Sequence, residues 1–208
     1  GKVTFAWDGK TETVERRDCF HEGAILLHVP QNTKVTITAE TETEVAVART
    51  ENGRSFEAKL MRPEDCLCAN EERGAGQMNE CSTRMVRTFF DRSNCPETNF
   101  FIGEVVHFPG KWSSYPPHQH VEPEMYYYKF LPENGYGLAE YGDDAYKVKH
   151  NDLTGMPANV THSQAAAPGY AEYYLWCIRL QDDKNIITTT VKEYEWVTAP
   201  DAKYFPDI

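Results

Sequence analysis

The sequence predicts an all-β fold, a sandwich or barrel of short strands. Three observations carry this expectation. No long segment shows helical periodicity, whereas strand-like runs bounded by turn residues recur along the chain. The hairpin dipeptides Asp8-Gly9, Asn52-Gly53 and Asn134-Gly135 stand between several of these runs and supply the positive φ of a tight turn. Twelve Tyr and ten Phe among 208 residues favour strands, where aromatic side chains pack on a pleated surface.

In chain order, the predicted strands are 3–7, 24–29, 34–39, 44–49, 55–60, 100–108, 125–130, 137–141, 145–149 and 171–180. The segment 63–96 reads differently. It holds four of the six Cys, both signs of charge, and Gly74 and Gly76. It is expected to be a connector with one short helix, between an N-terminal unit (1–62) and a C-terminal unit (97–208).

Composition narrows the function classes. Lys+Arg 21 against Asp+Glu 32 leaves a net charge of −11. That argues against a nucleic-acid binder and provides no polybasic stripe for an anionic membrane. The longest apolar runs fall far short of the ~20 residues of a membrane helix. The six Cys are too sparse for a disulfide scaffold and read as free thiols, and no signal peptide opens the chain, so a cytoplasmic protein is expected. The first residue is Gly, which hints at a processed or trimmed start.

A faint internal repeat links the two units. Residues 29–35 resemble 156–162 at an offset of 127, and Ala39 then falls on Ala166. Asp8-Gly9 maps onto Asn134-Gly135 at an offset of 126. The position equivalent to His162 is Val35, so the first copy lacks that imidazole. The counterpart of 110–127 would precede Gly1, so the first copy is partial. Its open strand edges need covering by the second unit or by another subunit, as in a homodimer.

The richest chemistry lies between Gly110 and Tyr128. His118 and His120, two apart on a strand, point to one face and can reach one ion. Glu124 follows across a turn, where a neighbouring strand could present its carboxylate to the same ion. His162 follows Pro157-Ala158-Asn159 near the start of a later strand. His21, His28, His107 and His150 stand alone and read as surface or hydrogen-bonded core residues.

These residues carry a family resemblance. His118-x-His120-x-x-x-Glu124, followed by Pro157-x-Asn159-x-x-His162, resembles the two motifs of the cupin superfamily. The resemblance implies a two-domain bicupin whose N-terminal cupin is degenerate, incomplete at its start and metal-free. It also implies that His118, His120, Glu124 and His162 hold one divalent metal. Asn159 stands where many cupins carry Gly, and Ala166 where some have Asn. The flanks, Trp112-Ser-Ser-Tyr-Pro-Pro-His, Glu124-x-Tyr-Tyr-Tyr128 and Ala167-Pro-Gly-Tyr170-x-x-Tyr-Tyr-Leu175, resemble the 5-deoxy-glucuronate isomerases of inositol breakdown. These are related to the 5-keto-4-deoxyuronate isomerases. The chain departs from that family between Gly76 and Thr83 and after Leu180.

The implied reaction is an aldose–ketose isomerisation of a sugar acid through an enediol, 5-deoxy-glucuronate becoming 5-dehydro-2-deoxy-gluconate. A Lewis acid binding a carbonyl and its neighbouring hydroxyl needs two open positions. Four protein ligands leave two on an octahedral ion, so Mn, Fe or Ni is expected in use, and Zn can occupy the site after purification. Tyr126 and Tyr128 share strand parity with Glu124 and are candidates for proton transfer. Glu122 is a second candidate carboxylate, although a solvated turn residue is its plainer reading. Lys111, Arg84, Arg87 and Lys129 are candidates to hold a sugar-acid carboxylate, and Tyr115 to shape the rim. The same ligand set also suits a cupin dioxygenase or a non-catalytic, metal-dependent sugar-binding cupin.

Overall fold

In the computed structural model, residues 1–181 and 184–206 are described. Asp182, Asp183, Asp207 and Ile208, within the expected C-terminal unit, lie outside the described residues. The N-terminal strands are β1 (Lys2–Trp7), β2 (Lys10–Glu15), β3 (Leu26–His28), β4 (Val35–Ala39) and β5 (Lys59–Met61). Next come β6 (Cys68–Arg73), β7 (Arg84–Phe90), β8 (Phe100–His107), β9 (Trp112–Gln119) and β10 (Glu124–Leu131). The chain continues through β11 (Tyr136–Tyr141), β12 (Asp144–Lys149), β13 (Leu153–Met156), β14 (His162–Ala166), β15 (Ala171–Arg179) and β16 (Thr189–Thr190). Helix is confined to short 3-10 segments.

Two sheets build the main barrel, one ordered β13-β10-β15-β8-β7-β6 and the other β12-β11-β14-β9-β16. A single buried cluster joins them, with Val86, Val105, Tyr126, Tyr128, Phe130, Tyr174 and Trp176 from the first and Ala139 and Val148 from the second. The architecture is all-β and cupin-like, as expected. Along β10 the side chains alternate: Glu124, Tyr126, Tyr128 and Phe130 are buried, whereas Met125 and Leu131 are exposed. This is the period of two that a half-buried strand imposes.

The segment expected to be a connector instead contributes β6 and β7 to the six-stranded sheet. Its charged stretch Glu71, Glu72 and Arg73 is an exposed edge strand, and charge on an edge discourages unwanted pairing. The charge pattern therefore concealed a strand. Conversely, residues 44–49 form no strand; they run along the outside of the barrel, where Glu44 pairs with Lys129 and Thr50 accepts from Arg179. No strands flank Asn52-Gly53, because the Asn52 side chain binds the Glu97 carbonyl and the Arg54 N–H.

The N-terminal sheet, ordered β2-β1-β4, repeats the order β12-β11-β14. Trp7 pairs with Val35 as Tyr141 pairs with His162. The offset of 127 therefore holds for β4 and β14, but β1 and β11 are 134 apart. The counterpart of Asp8-Gly9 is consequently the turn at Gly142 (φ 62°), not Asn134-Gly135. At the latter, the Gly135 N–H bonds back to the Pro132 carbonyl. Val35 packs against a small apolar core of Val3, Phe5, Trp7, Val14 and Ala58, at the strand position that His162 holds in β14.

The two units meet on the outer face of the six-stranded sheet. Arg16 and Arg87 both donate to Glu104 Oε1, at 2.6 and 2.7 Å, and the Tyr173 hydroxyl donates to Oε2 at 2.9 Å. On the inner face of the same strand, Gly103 allows β7 and β15 to close in. A Cβ there would lie 2.3 Å from the Trp176 ring and 2.4 Å from the Arg87 carbonyl. Gly103→Ala is expected to cost at least ~1–3 kcal/mol, because backbone cannot yield as a flexible side chain does. Urea denaturation measures it.

Candidate metal centre

Three buried side chains converge inside the barrel. His120 follows directly after β9, Glu124 opens β10 and His162 opens β14. Their donor atoms lie within 4.8 Å of one another. His120 Nε2 is 3.1 Å from Glu124 Oε2, and His162 Nε2 is 3.6 Å from the same oxygen. The far nitrogen of each ring is tied to backbone: His120 Nδ1 donates to the Glu122 carbonyl (2.8 Å) and His162 Nδ1 to the Val160 carbonyl (3.1 Å). These bonds place a proton on each Nδ1 and turn both Nε2 atoms inward.

The electrostatics suit a cation. Burial, aided by His118, pushes His162 down to about 3, so the ring stays neutral. Its Nε2 is buried and has no hydrogen-bond partner among the described residues. Burial also opposes charge on His120, but Glu124 and the Glu122 carbonyl outweigh it and hold that ring above its ordinary value. Burial raises Glu124, and His120 offsets part of the effect. Two imidazole nitrogens and a carboxylate oxygen, one of them orphaned, form a donor set that could hold a divalent metal.

His118 lies at the edge of this group. It is half-buried and pairs with His162 across β9 and β14, with ring centroids 4.4 Å apart. It is not one of the three residues whose donor atoms cluster within 4.8 Å. Its ring hydrogen-bonds to backbone at Ser114 and Pro116. Between Ser113 and His118 the register against β14 shifts, and Ser114 takes φ 51°. This bulge re-aims the end of β9. The C-terminal tail covers it: Thr190 pairs with His118, and the Val191 N–H bonds the Pro117 carbonyl.

Tyr126 and Tyr128 face inward, as strand parity requires. The Tyr126 hydroxyl bonds Glu124, and burial holds it well above its ordinary pKa. Tyr128 donates to Gln164 Oε1 at 2.9 Å and is likewise raised by burial. Glu122 is buried rather than solvated, because the turn folds inward; its carboxylate lies 3.8 Å from His120 Nδ1.

The candidate carboxylate binders separate sharply. Arg84 is on the inner face of β7 beside His107 and Val86, and its guanidinium donates to the Ser82 carbonyl. Arg87 has the opposite parity and is spent on Glu104, Asn70 and the Cys19 carbonyl, outside the barrel. Lys129 is also outward, on Glu44. Neither Arg87 nor Lys129 is brought to the cluster. Lys111 sits in the turn before β9, and Tyr115 lies in the bulge against the Trp112 ring (5.4 Å). Sequence reasoning missed His107, Ser113, Gln164, Glu172 and Tyr174, all buried on the inner faces. Alternation along β15 (Glu172, Tyr174, Trp176, Ile178) was the signal that could have found the carboxyl.

Residues 1–197 match the KduI/IolB family. The chain belongs to that family. It is 30% identical over 190 residues to the 5-deoxy-glucuronate isomerase of Geobacillus kaustophilus, covering 84% of this chain and 63% of the relative. The corresponding protein of Geobacillus thermodenitrificans is 28% identical over 193 residues, covering 86% and 64%. The chain thus spans a little under two thirds of the length of these KduI/IolB relatives. The crystal structure of an IolB-like protein from Salmonella typhimurium superposes with a TM-score of 0.85 at 24% identity, covering 95% of this chain and 78% of that one. That likeness establishes the shared fold. Among the described residues, no helix is long and apolar enough to cross a membrane.

Proposed function

We propose that this KduI/IolB chain carries the catalytic barrel of a metal-dependent aldose–ketose isomerase, converting 5-deoxy-glucuronate to 5-dehydro-2-deoxy-gluconate through an enediol. The observation that carries the proposal is the orphaned, buried Nε2 of His162 beside Glu124 and His120. The names of the relatives support the substrate. His120, Glu124 and His162 would hold the ion, with His118 completing the set from the β9 bulge. A bound divalent ion, whether Mn, Fe, Ni or Zn, would supply Lewis-acid stabilisation of developing oxyanion charge.

The remaining roles belong to the chain. Tyr126, held protonated by burial, donates to Glu124 and orients that carboxylate. The Glu122 backbone fixes the His120 tautomer. Arg84, whose charge acts on His118, is the candidate cation for the substrate carboxylate, with Lys111 and Tyr115 at the rim. The buried barrel interior excludes water from the enediol.

Metal analysis paired with incubation of 5-deoxy-glucuronate in D₂O, followed by NMR, tests the proposal. Ketose formation with deuterium at one carbon, dependent on bound metal, is the expected result. Oxygen uptake would instead establish a dioxygenase. Metal-dependent sugar binding with neither signal would establish a binding cupin.

A further inference from the structure

Deeper in the barrel lies a second buried polar set that the proposed reaction has not used. On the inner face of the six-stranded sheet, Glu124 pairs with Ile178, Tyr126 with Trp176, Tyr128 with Tyr174 and Phe130 with Glu172. Glu172 therefore sits six residues of strand from the Glu124 layer, roughly 20 Å at ~3.3 Å per residue. His107 pairs with it from β8. His107, Ser113, Gln164 and Glu172 have no exposed surface, and Tyr174 is 3% exposed.

The arrangement has a direction. Neither carboxyl oxygen of Glu172 has a hydrogen-bond partner among the described residues, and no cation pairs with it. A dry carboxylate is costly, so the neutral acid is favoured, and burial pushes Glu172 up to about 8. His107 is held neutral as well: burial, with Arg84, pushes it down to about 3. His107 Nδ1 is 3.7 Å from Glu172 Oε1 and is also unpartnered, so it is the natural acceptor for the carboxyl proton. His107 Nε2 is 2.5 Å from Ser113 Oγ, and Ser113 Oγ is 2.7 Å from the Tyr174 hydroxyl. One assignment of hydrogens satisfies both bonds, His107 donating to Ser113 and Ser113 to Tyr174; the Glu172 carboxyl faces the open His107 Nδ1 across 3.7 Å, a gap that must close by under ~1 Å before its proton can pass. Tyr174 is left with a spare donor.

The Glu124 carboxylate acts on the Tyr174 hydroxyl through the barrel interior. The Tyr174 hydroxyl reaches Ser114, in the β9 bulge whose backbone holds His118. Its ring meets Tyr126 edge-on at 4.9 Å. The barrel wall is thinned to admit the carboxyl: a Cβ at Gly137 would lie 2.0 Å from Glu172 Oε2.

We propose that Glu172, His107 and Ser113 form a buried proton relay to Tyr174, whose hydroxyl lends a proton to the substrate carbonyl oxygen and regains one from the neighbouring hydroxyl. This rests on the isomerase reading. As the enediol forms, the C–H bond next to the carbonyl breaks and gives its proton to a base of the site, the Tyr174 O–H bond breaks, and an O–H bond forms on the carbonyl oxygen. Tyr174 takes the Ser113 proton, Ser113 takes the one from His107 Nε2, and His107 Nδ1 takes the one from Glu172. Along the relay four O–H or N–H bonds break and four form, and Glu172 ends as a carboxylate. On collapse to the ketose the neighbouring hydroxyl gives its proton to Tyr174, the relay runs back until Glu172 is reprotonated, and the base returns its proton to the former carbonyl carbon. Tyr174 is the catalytic group; Glu172, His107 and Ser113 are positioning residues acting through it.

Glu172→Gln tests the relay. The amide still faces His107 Nδ1 but has no acidic proton to pass on. The wild-type chain should show a neutral carboxylic-acid carbonyl band in its infrared spectrum at pH 7, and Glu172→Gln should remove it, with or without substrate. In the metal-loaded protein, kcat should fall ~100-fold, the scale of a lost acid–base contribution, with KM and bound metal unchanged. The alkaline fall in kcat, arising as Glu172 ionises, should disappear. The titratable groups around Glu172 are His107 on β8, Tyr128 on β10 and Tyr174 on β15, with Arg84 of β7 acting on His107. Ser113→Ala, which cuts the chain elsewhere, should give the same kcat loss while keeping the band. Wild-type kcat and pH profile in either variant, or no band in the wild-type chain, overturns the relay. A metal-loaded wild-type chain that converts no sugar acid overturns the isomerase reading instead, and the relay's catalytic role with it.

Discussion

His120→Ala is expected to lower bound divalent metal to background and to abolish isomerisation. The ring supplies one of three clustered donors, and its Nε2 lies 3.1 Å from Glu124 Oε2. Loss of a residue that merely supports a ligand costs ~10–100-fold in metal affinity, and loss of a ligand should exceed that. Removal also strips Glu124 of its hydrogen-bonded neighbour, so the buried carboxyl becomes still harder to ionise. Two effects therefore act in one direction. Elemental analysis of the purified variant measures the outcome. His21→Ala is the control, because His21 is an exposed residue bonded to Asp18. A full complement of ion in His120→Ala would refute the ligand assignment.

Arg87→Ala is expected to destabilise the fold strongly and to leave metal binding intact. Arg87 and Glu104 are 5% and 1% exposed, and their atoms meet at 2.7 Å. Removing one partner of a buried pair strands the other charge and costs ~3–5 kcal/mol. In a chain of this size that lowers the melting temperature by on the order of 10 °C. Arg16 remains on Glu104 and softens the loss, so the lower half of the range is expected. Calorimetry reads the melting shift, and elemental analysis of the folded variant reads the metal. A variant of wild-type stability that had lost substrate binding would return Arg87 to the pocket, where residue type alone had placed it.

Part of this molecule was legible in the sequence because strand alternation is local. The inward set Glu124, Tyr126 and Tyr128 follows from a period of two on one strand, and so does the outward direction of Tyr127, which bonds Asn151. Applied to Lys129, the same rule would have removed it from the candidate binders. Arg84 and Arg87 could not be separated in that way, because β7 was hidden in a charged segment that resembled a connector. The repeat was found at the correct offset for β4 and β14, where Val35 and His162 occupy matching places. It failed at the hairpin because turn dipeptides recur by chance more readily than paired strands do.

The sequence by itself determined that the chain is all-β, that two imidazoles and a carboxylate fall within residues 118–124, and that Val35 stands at the position matching His162. Only the tertiary structure decided which polar groups lose their water. Glu172, His107 and Gln164 resemble ordinary polar residues in the chain, and they become unusual because strands distant in sequence close over them. Burial depends on neighbours that local periodicity does not record, and burial favours the neutral form of the Glu172 carboxyl and of the His162 imidazole.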